Sequence, residues 1–149
     1  MANRDRNKSF SRKERTREEA EIKTAQKTLI SFNFKDLDQT QPTGNPQTIA
    51  LWHQANMLAP LLERIRQVCQ LSRTEAVQQQ QLKFYDNFPP KKSTDFFHPG
   101  HVPQDVYWGV LKNIGGQVGT VAGYLVEDVF HVVFLDMEHK FWISEKKNT

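Results

Sequence analysis

The sequence predicts an α+β protein, with an N-terminal charged arm and helices followed by a small antiparallel meander sheet. A charged segment with few apolar residues opens the chain, and a pattern of apolar residues at helical spacing lies in the middle. Three strand-like segments joined by short turns come last. Helices that precede a run of strands are typical of the α+β class.

The charged arm covers residues 1–27, and it carries most of the positive charge. It holds nine Lys/Arg and five Asp/Glu, whereas the rest of the chain holds eleven basic and twelve acidic side chains. Such an arm, helical or disordered, suits nucleic acid because phosphate contacts release counterions, although a solubilising tail explains it equally well. One α+β domain is expected over residues 28–149. The candidate nucleic-acid-binding side chains of the arm are Arg12, Lys13, Arg15 and Arg17.

The first elements of the domain are a strand and a helical region. Alternation over residues 28–34 predicts the strand. Apolar residues then recur at spacings of three and four from Leu51 to Val68, with Thr48 or Asn45 available as a cap. Because Pro60 interrupts this apolar pattern, the sequence predicts either a kinked helix or two helices that meet near Met57. The polar segment that follows, residues 72–81, is either helix or linker.

The remaining strands lie in the second half of the chain. A short strand is predicted at residues 82–85, and three longer ones at about 106–113, 118–126 and 129–136. Gly115-Gly116 and Glu127-Asp128 supply the two turns between the longer strands. Alternation in the last strand predicts two faces: one holds His131, Val133 and Leu135, and the other holds Phe130, Val132 and Phe134.

Histidines flank the predicted meander. His98 and His101 lie in the long loop before it, and His139 follows it. Polar groups at the rim of one sheet could converge, which would allow acid–base chemistry near neutral pH. The competing interpretation, which the residues around His139 favour, is an ordinary exposed turn. The spacing of His98 and His101 also suits two metal ligands, but no cysteine partners accompany them. We therefore expect neither a metal nor another cofactor.

Aromatic and basic residues are interleaved in the same part of the chain. Aromatic rings can stack on bases while lysines meet phosphates. The competing interpretation is that these rings fill a small core. The aromatic candidates are Phe96, Phe97, Tyr107, Trp108 and Trp142, and the basic ones are Lys91, Lys92, Lys112 and Lys140.

Several classes of protein are disfavoured. The glycines near residue 115 lack the GK[ST] motif of a phosphate-binding loop, and Cys69 has no predicted base beside it. A single cysteine permits no intrachain disulfide, which favours a cytoplasmic location. No apolar run approaches the roughly 20 residues of a membrane-spanning helix, so no membrane partner is expected.

The order of parts, helices then an antiparallel meander then a tail with His139-Lys140, resembles the small RelE/ParE-like toxins and related metal-free ribonucleases. The likeness covers roughly residues 47–143. It implies a metal-independent endoribonuclease with His/Lys acid–base chemistry. In that reaction the 2′-hydroxyl attacks the neighbouring phosphate, His139 and His101 transfer the protons, and Lys140 or Lys112 faces the phosphate. It also implies RNA as substrate and an antitoxin-like protein as a possible partner.

Two other functions fit the same residues. A charged arm, an amphipathic helix and an apolar hairpin also suit a non-catalytic subunit of a larger intracellular complex. The arm together with the lysine- and aromatic-rich loop suits a nucleic-acid-binding adaptor, whose binding would weaken steeply with salt.

Overall fold

The computed structural model describes residues 28–116 and 118–144. The predicted arm, with Arg12, Lys13, Arg15 and Arg17, lies outside the described residues. Within them the α+β class is confirmed: short helices come first and one five-stranded mixed sheet dominates the second half. The helices are α1 (Ile49–Gln54), α2 (Leu58–Val68) and α3 (Arg73–Gln78), and the strands are β1 (Ser31–Asn33), β2 (Leu82–Phe84), β3 (Tyr107–Ile114), β4 (Gly119–Val126) and β5 (Val129–Asp136).

The helical region forms two helices that meet at Met57. Thr48 caps α1 by accepting a hydrogen bond from the Leu51 N–H. Pro60 lies in the first turn of α2, where a missing N–H costs no helical hydrogen bond. Ser72 then begins α3 with a capping box to Glu75, so the polar segment is a helix there.

The sheet has the strand order β1-β5-β4-β3-β2. Strands β3, β4 and β5 pair antiparallel, as the sequence predicts for the meander, and β2 also pairs antiparallel with β3. Strand β1 adds to β5 in parallel, a pairing that local patterns do not reveal. Both β1 and β2 are short edge strands of three residues.

Each face of the sheet covers a separate apolar cluster. The helix face packs against α1, α2 and α3 through Trp52, Leu61 and Ala76. The loop face is covered by the loop between β2 and β3 and by the segment after β5, through Phe96 and Phe141. Trp108, a predicted base-stacking residue, is fully buried in this second cluster, as is Phe96. These two rings therefore belong to the core.

Two β-bulges shift the register of the sheet. On β5, Phe134 pairs with Ala122 while Val132 pairs with Gly123, so Val133 is the extra residue. The predicted alternation is consequently wrong after Val133: Phe134 packs on the loop face and Leu135 on the helix face. On β3, a second shift lies between Leu111 and Ile114. Bulges re-aim the side chains that follow them, and both of these lie next to the cleft described below.

Candidate nucleic-acid interface

A cleft of about 370 Å³ opens on the loop face at the end of the sheet that carries the β3–β4 turn. We call it the loop-face cleft. Its walls come from β2, β3, β4 and the segment after β5, which the sheet brings together although they are distant in sequence. The residues that line it are Lys83, Tyr85, Val110, Lys112, Asn113, Thr120, Asp136, His139, Phe141, Trp142 and Ser144.

Asp136 organises the floor of the cleft. The β5 bulge moves this residue to the loop face, where it is 2% exposed. Its Oδ1 accepts a hydrogen bond from the Lys140 N–H at 2.8 Å, and its Oδ2 accepts one from the Phe141 N–H at 2.9 Å. The Thr120 hydroxyl lies 3.3 Å from the same Oδ2. Burial raises the pKa of Asp136, and these hydrogen bonds only partly oppose that effect.

The turn after Asp136 presents His139. Its backbone adopts a left-handed conformation with φ of 58°, which histidine tolerates better than most non-glycine residues. The Nε2–H of the exposed imidazole donates a hydrogen bond to the carbonyl of Val118 at 3.1 Å. Because Asp136 holds the next two backbone N–H groups, the turn fixes the position of His139 beside the cleft.

Aromatic rings and cations form the outer wall. Tyr85 and Trp142 stack with ring centroids 4.1 Å apart and planes 9° apart. The ammonium of Lys83 lies 5.2 Å from the centroid of the Tyr85 ring. Lys112, which lies within the β3 register shift between Leu111 and Ile114, lines the same space. Lys83 and Tyr85 lie on one face because they alternate with Leu82 and Phe84.

The predicted proton-transfer pair does not share this cleft. The Nε2–H of His101 donates to the carbonyl of Asp36 at 2.9 Å, and the carboxylate of Asp36 accepts a hydrogen bond from Tyr124. Val118 precedes β4 whereas Tyr124 lies near its end, so extended backbone separates them by about 20 Å. His101 and His139 are therefore anchored at opposite ends of β4.

Around Asp36 lies a second polar cluster. Burial raises the pKa of Asp36, but hydrogen bonds from Tyr124 and Lys35 outweigh it, so the pKa lies below 3.8. Burial and the neighbouring Asp36 raise the pKa of Tyr124 to about 12. His131 stacks on Tyr124 with centroids 4.7 Å apart, and burial lowers its pKa. These bonds tie the segment after β1 to the sheet, as expected for a structural cluster.

The other predicted site residues lie elsewhere. Lys91 and Lys140 line a shallow groove beside Phe97, outside the loop-face cleft, and Lys92 is exposed in the same 3-10 turn as Lys91. His98 is half-buried against Phe88 and Trp108, where its Nδ1–H donates to the carbonyl of Pro99. Of the four predicted catalytic residues, the cleft brings together His139 and Lys112.

No group of three or more His, Cys, Asp or Glu side chains within residues 28–116 and 118–144 is arranged to hold a metal ion. In the same part of the chain, no helix combines the length and apolar character needed to cross a membrane.

Comparisons with known proteins add nothing to this description. No protein-family model, curated protein or solved structure matches the chain. The resemblance to RelE/ParE-like toxins therefore stays a prediction.

Proposed function

We propose that the protein binds nucleic acid at the loop-face cleft. The observation that carries the proposal is the stacked Tyr85–Trp142 pair beside two lysines, Lys83 and Lys112. Proteins that bind unpaired nucleic acid combine aromatic rings, on which bases stack, with cations that follow the phosphates. Trp142 is only half-buried, so its ring remains accessible from the cleft.

The charge of the lining supports an anionic ligand. Among the described residues that line the cleft, Lys83 and Lys112 are the lysines and Asp136 is the one carboxylate. That carboxylate is buried and directs its oxygens toward the backbone N–H groups of Lys140 and Phe141. The accessible charge of the described lining therefore comes from the lysines, and each phosphate contact that they make would release counterions.

Substitutions in the cleft should weaken binding in two distinguishable ways. Trp142→Ala is expected to reduce the affinity for a fluorescent oligouridylate about tenfold, because it removes a stacking ring. Lys112→Gln should lower the magnitude of the slope of log K against log salt by about 1, because it removes one phosphate contact. Fluorescence anisotropy over a salt series measures both quantities.

The matched control is Arg66→Gln. Arg66 is an exposed cation on α2, paired with Glu63 and remote from the cleft. The Arg66→Gln substitution removes one positive charge, as Lys112→Gln does, but it should leave the affinity and the salt slope nearly unchanged. Equal effects of Arg66→Gln and Lys112→Gln would mean that the protein attracts the oligonucleotide through its overall charge, and the proposed site would be wrong.

A second candidate function is metal-independent RNA cleavage in the same cleft. His139 and Lys112 both line it, which supports a proton-transfer group beside a phosphate-binding cation. Binding is the better supported function because His139 is the one imidazole among the described lining residues. A cleavage mechanism with two histidines would need His101, which lies at the other end of β4.

If the cleft cleaves RNA, His139→Ala should abolish the products formed from a labelled RNA in the presence of EDTA. The expected reason is the loss of the group that transfers the proton of the 2′-hydroxyl. His53→Ala provides the control, because His53 is exposed on α1 outside the cleft. Circular dichroism checks that both variants fold. Full cleavage by the His139→Ala protein would exclude this role.

We further propose a cytoplasmic location. It is supported by the single cysteine of the chain, Cys69, which is unpaired and partly buried on the protein's helical side. Burial raises the pKa of this thiol and so keeps it protonated and unreactive, as suits a structural cysteine in a reducing compartment.

A further inference from the structure

A second surface of aromatic rings and cations lies on the helix face of the same edge of the sheet. Phe84 and Tyr107 stack with centroids 5.0 Å apart and planes 16° apart. The guanidinium carbon of Arg73, at the start of α3, lies 5.6 Å and 5.1 Å from the two ring centroids. These residues line a groove of about 420 Å³, which we call the helix-face groove.

The two binding surfaces are continuous around β2. Lys83 and Lys112 line both the loop-face cleft and the helix-face groove. Strand β2 lies between them and forms the edge of the sheet. Positive charge and stacked rings thus extend from Trp142 on one face, across the edge, to Arg73 on the other.

Among the described residues, no strand pairs with the outer side of β2. The Lys112 N–H donates to the Gln81 carbonyl, and the Tyr85 N–H donates to the Trp108 carbonyl. Alternate residues of an antiparallel strand form backbone hydrogen bonds to the same neighbouring strand. Lys83, midway between Gln81 and Tyr85, therefore directs its backbone N–H and C=O toward β3, whereas those of Leu82 and Phe84 point away from the sheet. No carboxylate among the described residues forms an ion pair with Arg73.

We infer that one nucleic-acid strand occupies both surfaces, passing around the β2 edge from the loop-face cleft into the helix-face groove. This inference rests on the proposed function and specifies its ligand as single-stranded nucleic acid. A strand with unpaired bases can bend around the edge and offer bases to both sets of rings. A duplex is too stiff for that path, and its bases are already stacked within the helix.

Arg73 has a defined part in this arrangement. Its guanidinium is planar and permanently charged, so it can stack on a base with one face while its N–H groups contact a phosphate. Its cation–π contacts with Phe84 and Tyr107 hold it in place before the ligand arrives. Residues Lys83 and Lys112 then contact the phosphates that lie between the two surfaces.

A length series of oligonucleotides tests the inference. We expect Arg73→Gln to weaken binding of an oligouridylate of about 12 nucleotides about tenfold, and to leave one of about 4 nucleotides unchanged, because only the longer strand reaches the helix-face groove. Trp142→Ala should weaken both. Arg73→Lys, which keeps the charge but loses the planar group, should recover part of the affinity for the longer strand.

The outcomes separate this inference from the proposed function. If Trp142→Ala weakens both oligonucleotides while Arg73→Gln affects neither or both equally, the single path around β2 is wrong and the loop-face cleft remains. If Trp142→Ala has no effect on either, the proposed function itself fails. A duplex of the same length that binds as tightly as the single strand would overturn the inference. Polyglutamate that displaces the longer strand at equal charge concentration would also overturn it, in favour of an acidic peptide at this edge.

Discussion

Replacement of Gly123 by alanine should lower the free energy of unfolding by about 3 kcal/mol. Gly123 lies in the middle of β4, opposite the β5 bulge. A Cβ atom there would lie less than 3.0 Å from the backbone carbonyl of His131 and 2.8 Å from Cε1 of Phe130. Since backbone atoms inside a sheet cannot move aside cheaply, β4 and β5 would have to separate.

Gly100→Ala is the matched control for this prediction. A Cβ atom at Gly100 would meet no atom within 4 Å, and the backbone there needs no left-handed conformation. Its effect should stay within about 0.5 kcal/mol. Urea unfolding followed by circular dichroism measures both variants. A Gly123→Ala protein as stable as the Gly100→Ala protein would show that β4 and β5 are not in this close contact.

Asp136→Ala is expected to have an effect of similar size, a loss of about 3 kcal/mol. The substitution leaves the N–H groups of Lys140 and Phe141 without their acceptor, in a position where the carboxylate is 2% exposed. The relief of a costly buried charge offsets part of this loss. Because the same hydrogen bonds hold the turn that carries His139, the cleft should lose its shape in the folded fraction as well.

Asp136→Asn provides a graded comparison, since it keeps one acceptor oxygen and should cost less stability than Asp136→Ala.

The unsubstituted protein and Asp136→Asn should also differ in how their stability depends on pH. Burial raises the pKa of Asp136 above 3.8, so the stability that this group contributes is complete below pH 3.8 and is lost as the pH rises through the folded pKa. Because asparagine cannot ionise, Asp136→Asn removes this pH-dependent part of the free energy of unfolding. Urea unfolding at several pH values measures this pH dependence, and Asp105→Asn, at an exposed carboxylate, is the control. If Asp136→Asn left the pH dependence of stability unchanged, the raised pKa of Asp136 would be contradicted.

Most of the fold could be predicted from local patterns. The strand signals of the meander, the Thr48 cap and the interruption by Pro60 are all local, and each corresponds to an observed element boundary within a residue or two. Those signals are reliable because they depend on side-chain periodicity and on backbone hydrogen bonds between near neighbours. The parallel pairing of β1 with β5 depends on contacts across the whole chain, and no local pattern indicates it.

The register shifts were beyond prediction from the sequence. Neither Val133 nor Asn113 is marked as a bulge by its neighbours, although Asn113 adopts the left-handed conformation that asparagine tolerates. The β5 bulge decides the face on which Asp136 lies, because each added residue reverses the alternation that follows it. The carboxylate that shapes the cleft therefore could not be assigned to it in advance.

The candidate site was predictable only in part. Lys112, His139 and Trp142 stand out as chemical types, and they line one cleft. Lys83 and Tyr85 were missed, although their alternation with Leu82 and Phe84 is the signal that places them together. The sequence predicts that His98, His101 and His139 gather at one rim, but hydrogen bonds hold His101 and His139 at opposite ends of β4, and His98 packs against Trp108.

Chemical-shift mapping would show directly whether nucleic acid binds in the loop-face cleft. We would titrate isotope-labelled protein with a short oligouridylate and record the backbone amide and tryptophan indole signals. We expect the largest changes at Lys83, Tyr85, Lys112 and Trp142, with the buried indole of Trp52 unaffected. Changes confined to other surfaces, or no saturable change at all, would contradict a nucleic-acid site in the loop-face cleft.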